Sequence, residues 1–356
     1  MDKKTRELSD GESIEKIESI FFEDDTQKEF LRLFEHHFSE VLKTLYFNQI
    51  QMNIGHRLRP RMVYWGYIIS IASDNINSDD LEAAAKIAVC IELIHKSSIM
   101  LDDLIDRDIT RHGKPAFHTI YGLENTVLFS LNMLSVSLMN LNSVFLKKHI
   151  NSSAYGKSMF RLIDTMYQMS LGCLQEQNLN EETIENIAVI RDIMNKETAS
   201  LMTNSLLLGH YISGCDNSEV ENRLIDIGND CGYCFQAMND LEPFSNSAKI
   251  MAHKGSLNTD IAHNKKNIGV AVLLNMISPL EKIKLRQKNE NSKMYIIELY
   301  EKYKIQEIII NELTSIQNRI QENISKLKKC DINHKRCDDF LTFVNSVFDI
   351  CDKRLR

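Results

Sequence analysis

Residues 91–114 read IELIHKSSIMLDDLIDRDITRHGK, and spacing alone makes the first half of this stretch a helix. Leu81, Ala84, Ala88, Ile91, Ile94 and Ser98 recur every three to four residues up to Asp106. The run opens at Ser78 or Asp79, with Glu82 in capping-box spacing, and predicts about seven to eight turns. Asp102 and Asp106 then stand one turn apart with Asp103 about 100° round the axis, so three carboxylates gather at a helix C-terminus beneath the basic segment Arg107 to Lys114. Like charges repel there, and the helix dipole adds to the repulsion. Either the cluster is a solvated acidic helix end, or it binds cations, for which all-oxygen ligands favour Mg²⁺ shared with phosphates.

The same periodicity extends in both directions. Phe30, Phe34, Phe38, Val41 and Leu45 predict one helix or a helix pair over 14–53, and Pro60 suits the first turn of the next. Helical runs follow over 124–148, 155–178 and 183–213. Ser218 and Glu221 form a second capping-box pair, opening a helix that Pro243 ends; Ser278, Pro279 and Glu281 open another. No convincing strand and no repeat is visible. The expectation is an all-α fold of roughly a dozen helices around a central cavity, as one domain over 1–356: a motif-bearing core (55–267) with helical flanks (1–54 and 268–356).

Composition narrows the function. The chain has 356 residues, 43% of them hydrophobic and only 4 of them proline, enough for a substantial core without a linker. Acidic residues outnumber basic ones 49 to 42 and the two are mixed, so no basic face offers itself to nucleic acid. The charged start MDKKTRELSDGESIEKIE lacks a signal-peptide core, and no run of about 18 apolar residues suggests a transmembrane segment; a cytoplasmic protein is expected. Cys231 and Cys234 form a C-x-x-C without the second ligand pair of a structural zinc site, so they read as ordinary cysteines of a buried helix.

Several motifs, in order, carry a resemblance. Gly55-His56-Arg57-Leu58-Arg59-Pro60, the segment Ile91 to His95, Leu101 to Asp106, Arg111-His112-Gly113-Lys114, Lys196-Glu197-Thr198, Phe235-Gln236 before Asn239-Asp240-Leu241-Glu242-Pro243, and Asp260 followed by Lys265 resemble the motifs of trans-isoprenyl diphosphate synthases. The resemblance implies an enzyme that ionises an allylic diphosphate, alkylates isopentenyl diphosphate with the resulting carbocation and then loses a proton. It implies two or three Mg²⁺ ions held by Asp102, Asp106, Asn239 and Asp240, with Asp103 in support and Lys196 among the catalytic residues. Arg111, Lys196, Lys254 and Lys265 would hold the allylic diphosphate, and Arg59 and His95 the isopentenyl diphosphate. Thr198 and Gln236 belong to the implied substrate site, and a homodimer is implied too.

The departures are informative. Asn239 stands where the family has its first aspartate, and Pro243 where it has its third, so the second cluster has lost charge. His56 replaces a lysine and His112 an arginine at the homoallylic site, turning fixed cations into titratable ones. Beside the chain-elongating synthase, two further readings therefore stand: a class I terpene synthase-like or non-standard prenyltransferase on the same fold, and a weakly active partner subunit. In the family, bulky aromatics one turn before the first aspartates stop chain growth; here Ser97 and Ser98 are small, which predicts geranylgeranyl diphosphate (C20) or longer, with the stop at Ile94, Ile91 or Met133. Close helix packing is the other use of such serines.

Overall fold

The computed structural model describes residues 24–46, 56–73, 76–111, 113–148, 152–244, 266–285, 290–330 and 332–355. In chain order the helices are α1 (Asp25–Thr44), α2 (Leu58–Ser70), α3 (Ser78–Ile105), α4 (Phe117–Tyr121), α5 (Leu123–Lys148), α6 (Ser152–Gln177) and α7 (Ile187–Met194). A π turn, Asn195–Ala199, leads into α8 (Ser200–Ile212), followed by α9 (Ser218–Leu241), a 3-10 turn Glu242–Phe244 and α10 (Ile268–Met276). The remainder is α11 (Pro279–Leu285), α12 (Glu290–Lys302), α13 (Ile305–Leu327) and α14 (His334–Leu355). The fold is all-α, as the periodicity predicts. One exception lies in the basic segment after α3, where two-residue strands β1 (Thr110–Arg111) and β2 (Lys114–Pro115) pair antiparallel.

Close backbone contact builds the centre. Where α2 crosses α8, a Cβ on Gly66 would lie 1.9 Å from the Leu206 carbonyl oxygen, and one on Gly209 would lie 2.0 Å from that of Val63. Glycine on both sides is what lets these helices touch. Gly228 and Gly232, one turn apart on α9, meet Thr203 and Ala199 in the same way. Helix α3 packs against α1, α2, α5 and α8. Its Ala83, Ala84, Ala85 and Ala88 are buried on successive sides, so the helix runs through the core rather than over it.

Two predicted caps shift by one residue. Asn77, not Ser78 or Asp79, caps α3 by accepting from the Asp79 amide, and Asn217, not Ser218, caps α9 by accepting from Glu219 and Val220. Asparagine there adopts the extended backbone an N-cap needs, and its carbonyl reaches the first free amides. The Ser278–Glu281 capping box forms as expected, with Ser278 N donating to Glu281 at 2.9 Å and Glu281 N to Ser278 Oγ at 3.3 Å. Pro243 falls in the 3-10 turn just after α9, as suits a residue that has no amide hydrogen to continue a helix.

Leu123–Leu146 of α5 is long and apolar enough to cross a membrane by length and composition, with 33% of its apolar window buried. Ser130, Asn132, Ser135 and Ser137 break up its apolar letters without adding charge. Its Leu128, Leu131 and Met139 are exposed, as are Phe160, Ile163 and Tyr167 of α6.

Candidate functional site

The aspartate cluster ends α3 in a Schellman turn. Asp108 N donates to Asp103 O at 2.9 Å and Arg107 N to Leu104 O at 3.3 Å, with Arg107 in the left-handed region at φ 58°. That turn sends the chain back so that Arg111, on β1, faces the aspartates it follows. Arg111 Nε donates to Asp103 Oδ1 at 2.6 Å and its Nη2 to Asp102 Oδ2 at 3.1 Å. The three carboxylates are therefore unequal. Asp103 is buried against Arg111, Asp106 is half-buried, and the Asp102 side chain is 53% exposed. Burial pushes the Asp103 carboxyl up to about 6 although Arg111 pulls it down.

Arg59 and His95, both half-buried, meet directly, with Arg59 Nη1 and His95 Nε2 2.9 Å apart. Burial first, then the charges of Arg59, Lys96 and Arg111, hold His95 well below the ordinary histidine value. A neutral His95 thus accepts from the arginine. Burial also lowers Arg59, to about 10, against the pull of Glu92, which is itself buried and paired with Lys96 at 2.9 Å. His56 is half-buried, whereas His112 lies outside the described residues.

Lys196 donates to Gln175 Oε1 at 2.9 Å and pairs with Asp192. Thr198 Oγ1 donates to Gln236 Oε1 at 2.8 Å, and Gln236 Nε2 donates to Asp240 Oδ1 at 2.7 Å. The other oxygen of Asp240 accepts the Ile268 amide at 2.9 Å, and Asn267 Nδ2 donates to the Asp240 carbonyl at 2.8 Å. Asp240, expected among the metal ligands, is only 3% exposed, and its carboxylate joins the end of α9 to the start of α10. Asn239 beside it is half-buried. Lys254 and Lys265 lie outside the described residues. Ser97 is buried in the α3–α5 seam, donating to Ser130 O at 3.2 Å, while half-buried Ser98 bonds back to His95 O of its own helix at 2.9 Å.

Four residues that the motifs did not single out belong here: Cys173, Glu176, Glu197 and Lys266. Lys266 pairs with Glu197 and, at 3.4 Å, with Glu176. Burial pushes Glu197 up to about 8 against the pull of Lys266, and Glu176 and Asp102 add to the rise. The Cys173 thiol is pushed up to about 12 by burial and then by the charges of Glu197, Asp102, Glu176 and Asp106. One signal for this cluster was present in the sequence, since Glu197 separates the lysine and threonine that the family sets side by side. A π turn is the local form that one extra residue takes in a helix.

Among the described residues no three His, Cys, Asp or Glu side chains stand close enough to hold an ion by themselves. Asp102 and Asp106 can nevertheless offer oxygens on one helix face, the donor set for Mg²⁺ that completes its shell with phosphate oxygens.

Residues 40–303 match the family model described as Polyprenyl synthetase. The chain is similar to a chloroplastic geranylgeranyl pyrophosphate synthase of Capsicum annuum, 28% identical over 55% of this chain and 51% of the relative. It is also similar to a short chain isoprenyl diphosphate synthase of Methanocaldococcus jannaschii, 26% identical over 65% of this chain and 66% of the relative. The chain thus spans between about half and just under two thirds of the length of these relatives. Among solved structures, a geranylgeranyl pyrophosphate synthase from Corynebacterium glutamicum complexed with isoprenyl diphosphate and magnesium superposes with a TM-score of 0.72 at 18% identity, over 90% of this chain and 97% of that one.

Proposed function

The chain belongs to the polyprenyl synthetase family, and from that premise we propose that it joins an allylic diphosphate to isopentenyl diphosphate. The observation that carries this reading is the unequal aspartate cluster, in which exposed Asp102 and half-buried Asp106 stand one turn apart while Asp103 turns inward to Arg111. Mg²⁺ held by Asp102 and Asp106 would neutralise the diphosphate leaving group as the allylic C–O bond breaks. Arg111, fixed by Asp103, would present its guanidinium beside that charge, and Lys196 would add an ammonium. Arg59 and His95 receive the second diphosphate, with neutral His95 orienting the arginine. Buried Ile91, Ile94 and Met133 supply the dry apolar surroundings a carbocation requires. With small residues at Ser97 and Ser98, the product is geranylgeranyl diphosphate or longer.

The exposed apolar residues of α5 and α6 support a homodimer, because faces of this kind are usually covered by a second copy. Incubating the protein with Mg²⁺, labelled isopentenyl diphosphate and each allylic diphosphate in turn tests the reaction. A longer diphosphate is expected. A hydrocarbon or alcohol from the allylic substrate alone would make it a cyclase-like enzyme, and no product a subunit in need of a partner.

A further inference from the structure

Helix α3 carries one charged pair to which the proposed reaction gives no part. Lys96 Nζ lies 2.9 Å from Glu92 Oε1, one turn back on the helix, and the two side chains are only 12% and 2% exposed. A lysine four residues after a glutamate is ordinary on a wet helix face, but out of water such a pair loses hydration that its attraction hardly repays. Nor is the contact well made, since Glu92 Oε1 accepts no hydrogen bond among the described residues. On α2, Arg59 Nε is a buried donor that likewise has no hydrogen-bond partner among the described residues, while Nη1 of the same guanidinium meets His95. At 100° per residue, Glu92, His95, Lys96, Asp102, Asp103 and Asp106 all project within about 120° of one another round α3. Lys96 therefore stands on the face that carries both the expected metal ligands and the partner of Arg59.

We propose that Lys96 is a further cation of the isopentenyl diphosphate site, turning its ammonium from Glu92 to the diphosphate that Arg59 receives. The assignment rests on the reaction proposed above. Of the residues already given to that diphosphate, neutral His95 adds no charge and Arg59 adds one, against an anion that carries several. Lys96 adds a second charge that is fixed at neutral pH, the kind that a histidine at position 56 does not provide. The lysine stem is flexible and its ammonium has three donors, so the group can change partners by rotation of its own side chain. Before substrate binds, Glu92 holds the ammonium on the site's face; when the diphosphate enters, its oxygens take over, with the Arg59 Nε donor available to them as well. The ammonium is paired throughout, so the exchange adds little desolvation cost. Glu92 keeps a counter-charge in Arg59, whose protonated form it already favours.

Calorimetric titration of isopentenyl diphosphate into the full-length protein reads this binding directly, and steady-state kinetics separate the two substrates. Lys96→Met should weaken isopentenyl diphosphate binding and raise its KM about tenfold or more, the loss of a hydrogen bond between charged groups. The KM of the allylic diphosphate and the turnover number should change much less, and Lys96→Arg should stay within a few-fold of the wild type. Because Lys96→Met leaves buried Glu92 without its nearest counter-charge, the comparison is repeated in a Glu92→Gln background, where no buried carboxylate is stranded. The double variant should bind isopentenyl diphosphate about tenfold more weakly than Glu92→Gln alone, with the same helical circular dichroism. Equal binding in those two variants, or parallel rises in the KM of both substrates on Lys96→Met, overturns the assignment of Lys96. A wild type that binds no isopentenyl diphosphate overturns the proposed reaction itself, and with it the site to which this lysine is assigned.

Discussion

Arg59 Nη1 and His95 Nε2 are 2.9 Å apart, so the two side chains expected at the homoallylic diphosphate already hold each other. A neutral imidazole that accepts from a guanidinium orients it without competing for the anion. His95→Gln keeps an acceptor and should raise the KM for isopentenyl diphosphate only a few-fold. His95→Leu removes the acceptor and should raise it about tenfold or more, the loss of a hydrogen bond to a charged group. Neither should move the KM of the allylic substrate by as much, and parallel rises in both constants would refute the assignment.

Asp102→Asn or Asp106→Asn should lower turnover by several orders of magnitude with the circular dichroism of the helices unchanged, because charge stabilisation at a leaving diphosphate is worth several kcal/mol. Asp103→Asn acts differently. It weakens the hold on Arg111, so it should raise the KM of the allylic diphosphate more than it lowers turnover. Near-normal turnover in both Asp102→Asn and Asp106→Asn would sink the metal assignment.

Neighbouring residues of the second motif should separate cleanly. Asn239→Asp adds a carboxylate at a half-buried position and should reduce the Mg²⁺ concentration giving half-maximal activity. Asp240→Asn puts an amide donor opposite either Gln236 Nε2 or the Ile268 amide, so it should cost about 1–3 kcal/mol of stability and leave the Mg²⁺ requirement where it was. The opposite pattern, a large Mg²⁺ effect without a thermal shift, would make Asp240 the ligand.

Histidine burial gives the fold an acid limit. His210 is 1% exposed, beside Ser70 Oγ at 2.8 Å, and burial lowers it to about 4, with Lys157 adding and Glu221 and Asp216 opposing. The unfolded chain takes up this proton near the ordinary value of 6.5 and the folded chain only near 4. Stability is therefore present above pH 6.5 and is lost as pH falls toward 4, by about 3 kcal/mol from this group. His210→Asn should flatten that part of a urea-denaturation profile, and an unchanged slope would count against it.

The fold was legible because its signals are local and repeated: apolar spacing marks α3 and α5, and Pro243 marks the end of α9. The caps slipped because Asn77 and Asn217 stand just before residues, Asp79 and Ser218, that carry a capping-box spacing of their own, and only the backbone decides which side chain turns back. Asp102, Asp106 and Arg111 could be found since the family motif keeps them within one turn and a short hairpin. The Glu176–Lys266–Glu197 cluster was marked only at Glu197, because it joins residues some 70 to 90 positions apart, and neither Lys266 nor Glu176 looks different from a surface charge in the sequence. Asp240 shows the converse: its place in the motif suggests a ligand, but its hydrogen bonds belong to the fold.

Chain length is where Ser97 and Ser98 part company. Both precede the aspartates by about one turn, and small residues there predict an open path past a C15 product. In the structure Ser97 is 1% exposed and bonded to the Ser130 carbonyl, so it sits in the helix seam, whereas half-buried Ser98 bonds only to its own helix. Ser97→Phe would force a ring between α3 and α5 and should cost about 1–3 kcal/mol of stability whatever it does to the product. Ser98→Phe has more room and is the sharper probe, and it should shorten the product with little thermal shift. Ile91→Ala, which removes volume deeper along α3, should leave the product equal or longer. Reading the product lengths of the wild type and these variants by chromatography decides the matter: a wild type that stops at C15 or shorter, or a Ser98→Phe variant with the wild-type product, would place the growing chain elsewhere than along α3.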